Sequence, residues 1–160
     1  MSAVHTEASR GLYYASEPQL KDDGQKTWIT RSANVVVVLS QVSAGTELVR
    51  SDNPDEYMLL LPPGVRADIT AGSGSLSAEG ETLTILPPGQ SSIRVLDSGL
   101  VTRVFTVRAA DLADKAENAS VYANGAPGVA PLKDWPAPAG GFKLRNYTLA
   151  QYSDPKIFGR

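Results

Sequence analysis

Short apolar runs, each cut off by proline or glycine, limit what this chain can fold into. Val35-Val36-Val37-Val38-Leu39 is β-branched, too short to cross a bilayer, and reads as a buried strand. The run 56–61 is stopped by Pro62-Pro63-Gly64, and the run 81–86 by Pro87-Pro88-Gly89. Proline cannot donate to a central ladder, so each Pro-Pro-Gly marks the end of a strand. The pattern predicts strands over 27–30, 34–42, 56–61, 65–70, 81–86, 92–96 and 100–108, with Gly72-Ser73-Gly74 as a turn and 21–26 as a polar turn. Short strands at this spacing imply an all-β antiparallel sandwich or barrel.

Beyond residue 109 the pattern changes. Residues 110–119 predict the one short helix, with Leu112, Ala116 and Ala119 on a shared face. Residues 124–141 are dense in Gly, Pro and Ala, which disfavours helix and sheet alike. Residues 142–152 regain strand or short-helix character. The expected organisation is an arm over 1–18, a barrel over 19–109, and a short helix with an irregular extension over 110–160, packed on the barrel or on a partner.

The residue inventory excludes much chemistry. Cysteine is absent and His5 is the single histidine, so Cys nucleophiles, His-based triads and a 2-His-1-carboxylate iron site cannot be built from one chain. Asp52, Asp55 and Glu56 read as a solvated acidic turn beside Asn53-Pro54, and no Ca²⁺-loop motif is present. A net charge of −2 leaves no footprint for nucleic acid or an anionic membrane. The polar stretch 1–10 lacks the apolar core of a signal peptide, and with the missing cysteines it implies a cytoplasmic address.

Two segments carry a recognisable frame. Gly45 is followed by five residues and then Ser51-Asp52-Asn53, Glu56 and Pro63-Gly64. Gly80 precedes the run 81–86, then Pro87-Pro88-Gly89, two residues, and Ser92. This resembles the two-motif signature of the cupin family, which implies a double-stranded β-helix, or jelly-roll, barrel around one metal pocket. Ser51, Asn53, Glu56 and Ser92 then occupy the vestigial ligand positions. Neutral Ser and Asn are poor ligands for Fe, Mn or Zn, so the expected chain is a degenerate cupin with no cofactor and no catalytic residue of its own.

Leu12, Tyr13 and Tyr14 lie on a segment ahead of the first convincing strand, Trp28 lies within that strand, and Trp135 interrupts the Pro-rich tail. Aromatic side chains often anchor protein interfaces, which makes these five candidate partner contacts. The plainer reading is that they cover the outside of their own barrel.

Further runs sharpen the resemblance. Residues 11–18, 26–31, 53–58 and 140–147 are similar to the small subunit of two-subunit hydroquinone 1,2-dioxygenases. That resemblance implies a larger, cupin-containing catalytic subunit holding Fe(II), or Mn(II) in some members, in an α2β2 heterotetramer. The assembly would bind hydroquinone and O₂ and carry out extradiol-type cleavage to 4-hydroxymuconic semialdehyde, a step in 4-nitrophenol degradation. The alternative is a stand-alone, metal-free cupin, either an oligomerisation module or a small-molecule binder using Arg50, Ser51, Asn53, Tyr57 and Ser92 as polar contacts. A metal-free isomerase would need an acid-base pair that the lone His5 does not supply.

Overall fold

A computed structural model of the chain describes residues 10–134 and 136–152. Its first strands are β1 (Leu20–Asp22), β2 (Gln25–Arg31), β3 (Val35–Val42), β4 (Glu47–Asn53) and β5 (Tyr57–Leu61). They are followed by β6 (Ala67–Ala71), β7 (Gly74–Ala78), β8 (Thr82–Leu86), β9 (Gly89–Val95) and β10 (Gly99–Thr106). A one-turn helix α1 (Ala110–Ala113), a 3₁₀ turn (Ala119–Tyr122), β11 (Arg145–Thr148) and a second 3₁₀ turn (Leu149–Tyr152) complete the described residues.

The strands form two antiparallel sheets, ordered β1-β2-β3-β10-β5-β8-β11 and β4-β9-β6-β7. The sheets face each other as a jelly roll, with the core between them. Side chains alternate in and out along β3, β5, β8, β9 and β10, so Val36 and Val38, Leu59, Leu86, Ile93 and Val101 are buried. The loop after β5 folds back tightly on Gly80. A Cβ there would come within 2.6 Å of the Pro62 carbonyl oxygen and 2.8 Å of the Gly64 nitrogen, so only glycine fits.

Three strands lie where the sequence predicts turns or nothing. β1 overlaps the polar turn 21–26 and is held by pairing with β2 and by Leu20 packing against the core. β4 reads ELVRSDN and β7 reads GSLSA, both too polar to signal a strand, yet each completes the ladder of the smaller sheet. The predicted ten-residue helix is also shorter than expected. Its bonds loosen from Asp114→Ala110 to Lys115→Leu112, and the Glu117 amide then donates to the Ile29 carbonyl instead. Asn118 spans the Arg31 backbone, its Oδ1 accepting from the amide and its Nδ2 donating to the carbonyl. Beyond β1 the edge of β2 would otherwise lie open, and satisfying it outweighs another helical turn. Leu112 and Ala116 are buried as the helical spacing predicts, and Ala119 packs against the core.

Candidate functional site

In the jelly roll one end of the interior holds a cluster of polar side chains. Arg50 from β4 pairs with Ser91 of β9, and both turn inward. Opposite them the larger sheet contributes Tyr57 from β5 and Phe105 and Arg103 from β10. The Tyr57 and Phe105 rings stack with centroids 4.6 Å apart, and the Tyr57 and Ser91 hydroxyls are hydrogen-bonded at 2.8 Å. Both guanidiniums lie against Phe105, Arg50 at 5.5 Å and Arg103 at 5.7 Å from its centroid.

Arg50 is fully engaged. Its Nη1 and Nη2 donate to Asp111 at 2.6 and 2.9 Å, which fastens α1 over this end of the barrel. Its Nε donates to Asn53 Oδ1 at 3.2 Å, while Asn53 Nδ2 donates to the Asp55 carbonyl at 2.6 Å. Arg103 is different. It is 6% exposed, and its Nε has no hydrogen-bond partner. Burial pulls it down to about 10, still high enough to keep it charged at neutral pH. Burial pushes the Tyr57 hydroxyl up, against the Ser91 hydrogen bond and the two nearby cations, so Tyr57 is neutral.

The vestigial ligand positions do not converge. Asn53 is buried and joins the Arg50 network. A register shift between Arg50 and Asn53 turns Ser51 and Asp52 out to solvent. Ser92 faces outward as well, where its hydroxyl donates to Glu47 at 2.6 Å. Its neighbour Ser91 takes the inward place, because strand alternation puts only one of the two inside. Glu56 is bound at 2.7 Å to Arg145 of β11. The acidic turn is therefore not freely solvated: Asp55 accepts from Thr106 and Arg108, and Arg108 also holds Asp134. Arg103, Ser91, Phe105 and Asp111 went unread in the sequence. The inward phase of Val101, Arg103 and Phe105 along β10 is the signal that would have found the first.

A divalent metal does not fit here. The positions facing the interior offer two guanidiniums, a neutral phenol, a serine and an amide, and the cations would repel an added M²⁺. Among the described residues no three His, Cys, Asp or Glu side chains gather as a metal site.

The architecture matches known structures. KdgF from Halomonas sp. superposes with a TM-score of 0.54 at 12% identity, covering 62% of this chain and 94% of that one. An RmlC-like cupin from Shewanella frigidimarina gives 0.53 at 12% identity, covering 62% and 91%. This is the cupin fold. No protein-family model and no curated protein sequence matches the chain.

Outside the cupin barrel the two sheets differ. The smaller sheet shows solvent Glu47, Asp68, Thr70, Ser75, Ser77 and Arg94, a face that is polar apart from the exposed Val49. The larger sheet carries two transverse rows instead. One runs Trp28, Leu39, Thr102, Leu60, Leu83, Tyr147, and the next Thr30, Val37, Val104, Met58, Ile85, ending on Arg145. Val37, Met58 and Leu60 are exposed. The arm lies at one flank, Tyr13 meeting Trp28 edge-on at 6.2 Å and Trp28 Nε1 donating to the Ser16 carbonyl. Leu149 and Tyr152 lie at the other. Leu12, Tyr13 and Tyr14 thus rest beside their own sheet, with Tyr14 still 77% exposed, and Trp135 lies outside the described residues.

The Arg50–Asp111 clamp gives a pH prediction. The Arg50 guanidinium holds the Asp111 carboxyl below its usual range, so its contribution is present above the ordinary carboxylate pKa and is lost as pH falls through the depressed value. Denaturant titrations should show wild type losing more stability than Asp111→Asn between about pH 5 and pH 3, the two then converging. Parallel curves would mean the clamp contributes nothing.

Proposed function

We propose that this chain is the non-catalytic small subunit of a heteromeric, Fe(II)-dependent ring-cleaving dioxygenase that converts hydroquinone to 4-hydroxymuconic semialdehyde. It stabilises a larger subunit that holds the iron (or Mn(II)) and binds hydroquinone and O₂. The observation that carries this reading is the apolar outer face of the larger sheet, around Val37, Met58, Leu60 and Val104. An antiparallel sheet with one face in the core ordinarily presents polar residues on the other, and an apolar face of this extent needs a cover. The occupant we assign is the large subunit, because the chain's own interior is unsuited to a metal and the sequence runs at 11–18, 26–31, 53–58 and 140–147 resemble the dioxygenase small subunit. Two of those runs, 11–18 and 26–31, form the arm flank of the apolar face.

Obligate interfaces bury more apolar surface than transient ones, and the exposed face aggregates when its partner is missing. Expressed alone, the chain should self-associate or precipitate, and co-expression with the large subunit should give a soluble complex that co-purifies through a tag on either chain. A monodisperse monomer at high concentration, with no co-purification, would overturn the assignment.

A further inference from the structure

The charge inside the barrel has no part in docking through the outer sheet face. Arg103 is 6% exposed, forms no ion pair among the described residues, and its Nε is buried with no hydrogen-bond acceptor. The acidic groups at that end are already engaged: Asp111 by Arg50, Asp55 by Thr106 and Arg108, and Glu56 by Arg145. The Phe105 ring face eases the cation but does not neutralise it. Tyr57 and Ser91 share one hydrogen bond between two hydroxyls, which leaves one O–H proton unused beside the same cation. The Arg103 end is thus rich in donors, poor in free acceptors, and carries one uncompensated positive charge. A buried charge in that state is costly, and a counter-ion relieves it.

We propose that the barrel interior is a binding site for a small monovalent anion of halide, nitrate or formate size, held by the Arg103 guanidinium with the free hydroxyl proton of the Tyr57–Ser91 pair as a second donor. Charge matching sets the valence, since one unpaired guanidinium is balanced by one negative charge. Val38 and Leu59, beside Arg103 in the ladder, are fully buried and add no acceptor of their own. The site stands apart from the subunit assignment, and either can fail without the other.

Bromide is a suitable probe, with gluconate as the bulky control. Thermal unfolding of the full chain, alone or in its complex, is compared in sodium bromide and sodium gluconate at equal ionic strength. At bromide well above its Kd, Tm should stand about 3 °C or more above the gluconate value, rising with the logarithm of concentration. Arg103→Met should abolish that difference. Equal Tm values in the two salts, or a bromide increment that survives in Arg103→Met, would overturn the site. Should that variant fail to fold, crystals of the wild-type chain grown in bromide provide the second reading. An anomalous peak in contact with the Arg103 guanidinium is expected, and an interior without one would equally overturn the proposal.

Discussion

Leu60→Arg should abolish stable assembly with the proposed large subunit while leaving the barrel folded. Leu60 lies mid-row on the outer face of the larger sheet, between Thr102 and Leu83, with its side chain 40% exposed. In the free chain an arginine there can lay its stem along the sheet and keep its head in water, so its cost falls within the usual surface range of about 0.5 kcal/mol. At the centre of a docked interface the same head would be buried without a partner. Such a charge costs about 2–5 kcal/mol, which weakens binding by roughly 30-fold or more. Titration calorimetry of the purified subunits, with circular dichroism of the variant alone, separates the two effects. Met58→Arg should behave similarly, whereas Thr70→Arg, on the polar face of the smaller sheet, should leave assembly intact. Wild-type affinity for Leu60→Arg would remove the apolar face from the interface.

The second large effect lies inside. Phe105 is 2% exposed, stacks on Tyr57, and lies against the guanidiniums of Arg50 and Arg103. Phe105→Ala removes that stack, opens a cavity and strips Arg103 of the ring face it lies against. The expected loss is about 3–5 kcal/mol, or roughly 10 °C in Tm. Urea titration should show the midpoint falling at an unchanged slope. A loss under about 1 kcal/mol would mean that the barrel end collapses onto the gap, and that the Tyr57–Phe105 stack does not organise it.

Where packing and local pattern agree, the sequence was sufficient. The β-branched run at Val35–Val42 and the two Pro-Pro-Gly stops mark strands that the structure contains; they imply a sandwich or barrel, and the jelly roll came from the resemblance to cupins. The strands that escaped notice, β4 and β7, are held by ladder partners rather than by apolar content. The helix was overestimated because Glu117 and Asn118 leave it to close the β2 edge, a bond between residues far apart in the chain. The candidate site was legible only in outline. Arg50, Asn53 and Tyr57 were named as possible polar contacts and do gather at one end of the barrel. Ser51 and Ser92 do not, because a register shift and a one-residue change of phase turn them outward. Motif spacing counts residues along the chain, but strand register decides which of them enter the barrel.

No helix among the described residues is long and apolar enough to cross a membrane. The subunit assignment rests on what covers the larger sheet. Its most direct test is reconstitution: the separately tagged large subunit, with and without this chain, assayed for hydroquinone-dependent O₂ uptake and for iron content in each chain. The account predicts that iron stays with the large subunit, that turnover is low without this chain, and that adding it restores the rate at an equal molar ratio. Full turnover by the large subunit alone, or stoichiometric iron held by this chain, would contradict it.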